Sequence, residues 1–142
     1  MLLFLSRVRV LVRIGFAEFD LWVIGMADSV LRTQSKEFAK EVVVICRKLR
    51  KNGVEGALVN QLLRAGTSVG ANVHEAQYAQ GTRDFISKLE IALKECNESD
   101  YWVELLYETS SIDSEDYELL RHRCITLRRM LVSSVTTLKQ KH

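Results

Sequence analysis

Apolar residues recur every three or four positions from residue 29 to the end of the chain. This spacing places apolar side chains on one side of an α-helix. Turn residues interrupt the pattern three times, so the sequence predicts four helices: 29–52, 55–78, 82 to the turn at 110–114, and 114–139. The predicted core positions, helix by helix, are Leu31, Phe38, Val42, Ile45 and Leu49; Leu58, Leu62, Ala65, Val69, Val73 and Ala76; Phe85, Leu89, Ala92, Cys96, Ser99, Val103 and Leu106; Tyr117, Leu120, Cys124, Leu127, Leu131 and Leu138.

The predicted helix ends carry residues that suit helix termini. Gly53 follows basic residues and supplies a stop, while Thr82 and Ser114 are the expected N-caps. The chain contains no proline, which fits long uninterrupted helices. Because short loops make neighbouring helices antiparallel, the predicted fold is all-α: an antiparallel, up-down-up-down four-helix bundle.

Residues 1–25 differ in character from the rest of the chain. Arg7, Arg9 and Arg13 alternate with apolar residues in a period of two, which suits a strand. A secretory signal would place its positive charges before the apolar run, and a membrane span would tolerate fewer charges. We hypothesise that 1–25 is an atypical leader, that translation naturally starts at Met26, and that 26–142 forms the bundle. A membrane-surface anchor is the alternative for the leader.

Two segments have more apolar surface than one helix seam uses. Residues 42–46 (VVVIC) are apolar all round, and residues 101–107 (YWVELLY) place large side chains on two neighbouring faces. A helix that is apolar beyond a single stripe is usually buried on a second side. We therefore expect self-association, with exposure at the rim of the bundle as the alternative.

The second helix contains the run RAGTSVGANVHEA, residues 64–76, which is rich in poor helix formers. On a helical wheel Gly66 and Gly70 lie beside the core arc, where small residues let a neighbouring backbone approach closely. A further face groups polar residues that we interpret as a structural polar seam, with a binding or catalytic pocket as the alternative. The seam residues are Arg64, Ser68, Asn72 and Glu75. The third helix offers as their partners Lys88, Lys94, Glu95 and Glu98.

The same stretch resembles a known family. Residues 68–76 (SVGANVHEA), 84–86 (DFI) and 91–93 (IAL) are similar to motifs of bacterial four-helix-bundle proteins encoded in intervening sequences of 23S ribosomal RNA genes. The resemblance covers about 35–138 and implies a ring assembly, a pentamer, with no established enzymatic activity. A related accessory protein of diversity-generating retroelements binds a reverse transcriptase and nucleic acid, so the resemblance implies partners of those classes.

Patterns that carry catalytic or metal chemistry are missing from the sequence. Di-metal bundles need Glu-x-x-His motifs on two helices, whereas Glu118 and His122 are four residues apart. No phosphate-binding or dinucleotide-binding loop is present. The cysteines match no zinc or redox spacing and are expected to be buried and reduced. They are Cys46, Cys96 and Cys124. We therefore expect no enzyme, no metal and no cofactor.

The charge is distributed unevenly among the helices, although the net charge is only +2. Residues 28–52 hold seven basic and three acidic residues, 82–113 hold three and eight, and 114–142 hold six and three. The first and last helices are neighbours in the bundle, so we expect their cations to form one basic side that binds phosphate backbones. The predicted nucleic-acid contacts are Arg47, Lys48, Arg50, Lys51, Arg121, Arg123, Arg128 and Arg129.

Together these patterns predict a cytoplasmic homo-oligomer that does not cross a membrane and that binds RNA or DNA with low specificity or serves as a scaffold. The alternative is a purely structural role or an adaptor for a protein partner, for example a reverse transcriptase. Pairing between basic and acidic sides of neighbouring subunits would favour that alternative.

Overall fold

The protein is built from four helices packed side by side. The computed structural model describes residues 16–141, with side chains from residue 25 onward. The helices are α1 (Phe16–Lys51), α2 (Gly56–Ala76), α3 (Thr82–Glu108) and α4 (Ser114–Lys141). Each packs against its neighbours in the chain, and α1 also packs against α4. Since short loops join the helices, this closed order confirms the predicted antiparallel four-helix bundle.

The predicted seams form one continuous core. Its largest fully buried side chains come from all four helices and include Leu31, Phe38, Leu49, Leu62, Leu89, Leu106, Leu120, Leu127 and Leu131. The core differs from the prediction in two ways: Val59 of α2 is fully buried, and four predicted core residues are only half-buried, namely Leu58, Phe85, Tyr117 and Leu138. The buried hydroxyls of Ser35 and Ser99 donate to carbonyls of their own helices, at 3.1 and 2.8 Å. Neither buried serine is therefore left unpaired.

Helix α1 starts earlier than the sequence pattern predicted. A start near residue 29 was expected, but α1 continues without a break from Phe16. Gly25 is the only glycine or proline between 16 and 29, and one interior glycine costs only about 1 kcal/mol. The division at residues 25 and 26 therefore falls inside a helix. The strand predicted around residues 7–14 lies outside the described residues, and a translation start at Met26 stays a prediction.

The predicted N-caps of α3 and α4 are wrong: Gly81 precedes α3 without any side-chain cap, and a neighbouring carboxylate caps α4. Thr82 is already the first residue inside α3, and the carboxylate of Asp84 accepts the backbone N–H of Gln80 at 3.1 Å. At α4 the carboxylate of Asp113, not the hydroxyl of Ser114, accepts the third backbone N–H of the helix at 2.9 Å. A carboxylate at these positions also interacts favourably with the positive end of the helix dipole.

Three glycines have the roles that the sequence predicted. Gly53 lies just beyond α1 with a left-handed φ of 79° and ends the helix. A methyl group at Gly66 would come within 2.8 Å of a γ-carbon of Val42, and one at Gly70 would come within 3.2 Å of the backbone oxygen of Ser35. Both distances are shorter than a comfortable van der Waals contact. Close packing of α2 on α1 through these two glycines is confirmed.

Replacing Gly66 with alanine is expected to lower the free energy of unfolding by about 1 kcal/mol. Alanine improves helix propensity by about 1 kcal/mol, but an extra methyl group in a filled core costs about 1 to 3 kcal/mol. The stiff, buried side chain of Val42 leaves no room for it. Urea denaturation followed by circular dichroism measures the change.

The matched control is Gly56→Ala, because a methyl group there meets no atom within 4 Å. The control should be neutral or slightly stabilising. If Gly66→Ala proved as stable as Gly56→Ala, the close approach of α1 and α2 would be contradicted.

Candidate functional surfaces

The arginine of the predicted polar seam pairs with α3. The guanidinium of Arg64 donates to the carboxylates of Glu95, at 3.2 Å, and Glu98. The indole N–H of Trp102 donates to the same oxygen of Glu98 at 3.2 Å. Lys94, another expected partner, is exposed and makes no ion pair within the described residues. Since the side chain of Arg64 is 49% exposed, the cluster is a solvent-screened surface network.

The remaining seam residues divide into two kinds. Glu75 forms an ion pair of 2.8 Å with Lys88 of α3, and its carboxylate raises the pKa of Lys88. Ser68 donates to the carbonyl of Arg64 at 2.6 Å, and Asn72 donates to the carbonyl of Ser68 at 2.9 Å. The two ends of the seam thus connect α2 to α3, whereas its middle residues bond within α2. No buried side-chain polar atom of the described residues lacks a partner.

The arginines of α4 that were predicted to contact phosphates are paired inside the bundle. Arg121 and Arg128 both bind the carboxylate of Asp100 on α3, at 2.8 and 2.6 Å. Arg123 binds the carboxylate of Glu41 on α1 through two nitrogens, at 3.0 and 2.8 Å. This bidentate contact raises the pKa of Arg123. The three guanidinium groups therefore tie α4 to both of its neighbours.

Two predicted cations of α1 are also engaged. Lys48 donates to the carboxylates of Asp113 and Asp116 at the start of α4, and these two bonds raise the pKa of Lys48. Arg50 donates to the side-chain oxygen of Asn60 on α2 at 2.6 Å. Both side chains connect the carboxyl end of α1 to adjacent helices.

Three of the predicted cations remain unpaired. Arg47, Lys51 and Arg129 are exposed and make no hydrogen bond or ion pair within residues 25–141. The side of the bundle formed by α1 and α4 is consequently much less basic than a count of charges along each helix suggests. Such a count does not reveal which carboxylates lie opposite the arginines. A role of the eight residues in nucleic-acid binding stays a prediction.

A basic surface that the sequence reasoning missed lies between α1 and α2. Arg32 and Lys36 are one turn apart on α1 and line a groove facing α2. Lys36 makes no hydrogen bond or ion pair to any described residue, and the nearest carboxylate oxygen to Arg32, on Asp28, is 3.8 Å away. That distance is too long for a hydrogen bond. Two features of the sequence could have indicated this surface. The two cations are four residues apart on α1, and α2 contains a single acidic residue, Glu75.

The groove between α1 and α2 has a volume of about 520 Å³, and no carboxylate lines it. Ala39, Gly70 and Ala71 leave it room because their side chains are small or missing. At one end His74 lines the groove, and its ring packs against that of Tyr78 with centroids 5.6 Å apart. The side chain of Tyr78 is 77% exposed. The groove therefore combines cations, small residues and an exposed aromatic ring.

Exposed aliphatic side chains lie between ion pairs on the face formed by α1 and α4. Val44, from the segment 42–46, is 61% exposed, and Leu119 is 39% exposed. Val44 lies three residues after Glu41 and four before Lys48, and Leu119 lies three residues after Asp116 and four before Arg123. Residues with this spacing share a helix face. The two ion pairs are Glu41–Arg123 and Lys48–Asp116. Val44 and Leu119 thus lie at the same level, and we call them the α1/α4 patch.

Ile91 occupies the corresponding position on the face formed by α2 and α3. It is 39% exposed and lies three residues after Lys88 and four before Glu95. These two residues pair across the interface with Glu75 and Arg64, respectively. Because the helices follow one another around the bundle, the α2/α3 face lies opposite the α1/α4 face.

The cysteines and the histidines of the described residues differ in their exposure to solvent. All three cysteines are buried and free, and burial raises the pKa of Cys46 to about 11, which keeps it a thiol. His74 and His122 are exposed, while His142 lies outside the described residues. Within the described part of the chain, no cluster of three histidine, cysteine or carboxylate side chains could hold a metal ion. No helix in that part is both long and apolar enough to cross a bilayer.

The chain is similar to a known protein family and to a protein of known crystal structure. Residues 28–133 match the sequence model of the 23S rRNA-intervening sequence proteins. The crystal structure of a protein of unknown function from the S23 ribosomal protein family of Bacteroides thetaiotaomicron is 42% identical and has a TM-score of 0.75. The similarity covers 78% of this chain and 98% of that one. No curated protein sequence matches the chain.

Replacing Asp100 with asparagine is expected to lower the free energy of unfolding by about 1 to 2 kcal/mol. Two arginines would lose a charged hydrogen-bond acceptor, an effect that their partial exposure reduces. The midpoint of urea denaturation measures the loss. Glu104→Gln is the control, because it removes an exposed carboxylate of α3 that makes no ion pair within the described residues. Equal effects of the two substitutions would contradict a structural role for Asp100.

Proposed function

The chain belongs to the family of 23S rRNA-intervening sequence proteins, and from this premise we propose that it is a non-catalytic scaffold that assembles head to tail with copies of itself. Membership confirms the resemblance seen at residues 68–76, 84–86 and 91–93. The solved relative is itself of unknown function, so the proposal rests on the surface of this chain. The feature that supports it most is the exposure of aliphatic side chains on two opposite faces.

The position of the exposed side chains favours a head-to-tail contact. A two-fold dimer joins one patch to the same patch on its partner, whereas a head-to-tail contact joins two different patches. The α1/α4 patch and Ile91 lie on opposite sides of the bundle, which suits the second arrangement. Such contacts close into a ring when the rotation between subunits divides a full turn, and otherwise form a filament. The pentamer implied by the family resemblance is one such closed ring.

The surroundings of the exposed residues resemble those of an interface. Burying an aliphatic side chain completely stabilises an association by about 1.5 to 3 kcal/mol. The ion pairs beside Val44, Leu119 and Ile91 would form a polar rim around these apolar centres. A stable interface buries roughly 800 Å² on each partner, so the neighbouring turns of each helix would contribute as well.

Low-specificity binding of RNA or DNA is the second candidate function. It is supported by cations that make no hydrogen bond within the described residues, above all by Arg32 and Lys36 on the side of α1 that faces α2. An adaptor role on another protein is compatible with the same scaffold. A cytoplasmic location agrees with three free, buried cysteines, since such thiols persist in a reducing compartment.

We expect Val44→Glu and Ile91→Glu each to abolish assembly, because a charge would replace the apolar centre of one face. Sedimentation velocity and native mass spectrometry measure the particle size. Mixing the two variants should give a heterodimer, since each retains the face that the other has lost. Val132→Glu is the matched control: Val132 is 45% exposed on α4 but lies outside the α1/α4 patch.

The alternatives give different results. If Val44→Glu were monomeric while Ile91→Glu assembled like the unmodified protein, the contact would be two-fold and the head-to-tail arrangement would be wrong. A monomeric unmodified protein at micromolar concentration would overturn the scaffold proposal itself.

A further inference from the structure

The cations of the groove between α1 and α2 are available to an external anion. By contrast, Arg121, Arg123 and Arg128 of α4 are paired with carboxylates of α1 and α3. Arg32 makes no hydrogen bond within the described residues and Lys36 makes neither a hydrogen bond nor an ion pair there. Their side chains are one turn apart and point to the same side of the helix. An anion that approaches here therefore meets two positive charges without displacing a hydrogen-bonded carboxylate.

The shape of the groove favours a chain of anionic groups over a compact ligand. Its lining on α1 extends from Ser29 to Ala39, which corresponds to about 15 Å along the helix. The groove is open to solvent and has small residues between the two helices, so it does not enclose a ligand. A flexible single strand can follow such an open groove along the surface, and its unpaired bases are free to stack on an aromatic side chain.

An exposed aromatic ring lies at the end of the groove. Tyr78 follows α2 by two residues, and its ring contacts that of His74, a lining residue. A ring that is 77% exposed has a free face on which a base can stack. Positive charge along a groove together with an aromatic platform is the combination used to bind single strands without sequence preference.

We propose that the groove between α1 and α2 binds a single-stranded nucleic acid, with Arg32 and Lys36 contacting successive backbone phosphates and Tyr78 stacking on one base. The contacts to phosphate carry no sequence information, and stacking accepts every base. Binding is therefore insensitive to sequence and sensitive to salt. The inference rests on the second candidate function and not on assembly, because every residue in the proposed contact belongs to one subunit.

The test is fluorescence anisotropy of a labelled single-stranded oligouridylate, titrated with protein over a range of salt concentrations. Arg32→Gln/Lys36→Gln should weaken binding by about tenfold or more at low salt. It should also reduce the slope of log affinity against log salt by about 1.4, since each phosphate contact on a single strand contributes about 0.7. Arg83→Gln/Lys94→Gln removes the same charge from two exposed positions of α3 and should leave the slope unchanged.

The aromatic contact has its own matched pair of variants. Tyr78→Ala should weaken binding severalfold with little change in salt slope, whereas Tyr78→Phe, which keeps the ring, should bind like the unmodified protein. Sedimentation velocity checks that all variants retain the same assembly state. Equal binding by Tyr78→Ala and Tyr78→Phe would remove the stacked base from the proposal.

The experiment distinguishes a failure of nucleic-acid binding from a failure of the groove as its site. If the unmodified protein does not bind the oligonucleotide at low salt, nucleic-acid binding and the groove both fail. If it binds but the control pair loses as much affinity and slope as Arg32→Gln/Lys36→Gln, nucleic-acid binding stands and the groove is overturned as its site. Stronger binding to a duplex of the same length would likewise overturn the groove.

Discussion

Ion pairing along both flanks of α3 is the constraint on which the rest of the surface depends. On one flank its carboxylates hold Arg64 of α2, and on the other Asp100 holds two arginines of α4. These contacts pair opposite charges on neighbouring helices, whose net charges would otherwise interact only at long range. They also neutralise Arg64, Arg121 and Arg128, which are then not free to bind an external anion. The cations that remain accessible include Arg32 and Lys36, on the side of α1 that faces α2.

The close approach of α1 and α2 determines the form of that accessible side. Gly70 brings the backbone of α2 against Ser35, and the small neighbouring residues leave a groove above the contact. A larger residue in place of Gly70 would push the helices apart, and one in place of Ala71 would fill the groove. The same run of small residues that weakens helix propensity in α2 therefore creates both the tight packing and the open surface beside it.

The fold could be predicted from the sequence because it depends on periodicity. Core positions recur at threes and fours, and the turns at Gly53 and 110–114 divide them into helices. The caps of α3 and α4 were mispredicted because a polar residue near a helix start can itself lie inside the helix, as Thr82 and Ser114 do. The choice of Asp113 over Ser114 depends on local backbone geometry. The early start of α1 was missed because a single glycine does not terminate a helix.

The candidate surfaces were harder to predict because they depend on contacts between residues distant in sequence. Arg123 and Glu41, which pair across the bundle, are 82 positions apart. Of the residues predicted as a polar seam on α2, the middle two bond within their own helix. Net charge per helix, the quantity available from sequence, treats paired and unpaired cations alike. The basic surface between α1 and α2 becomes apparent only when the hydrogen-bonded ion pairs are left out of the charge count for each helix.

The most direct measurement of this charge distribution is the rate at which an amine-reactive ester acylates each lysine, read by mass spectrometry with and without a single-stranded oligonucleotide. Lys48 should react slowly because two carboxylates keep its ammonium protonated, while Lys36 and Lys94 should react quickly. The oligonucleotide should protect Lys36 and leave Lys94 unchanged. Rapid labelling of Lys48, or equal protection of Lys36 and Lys94, would contradict the account.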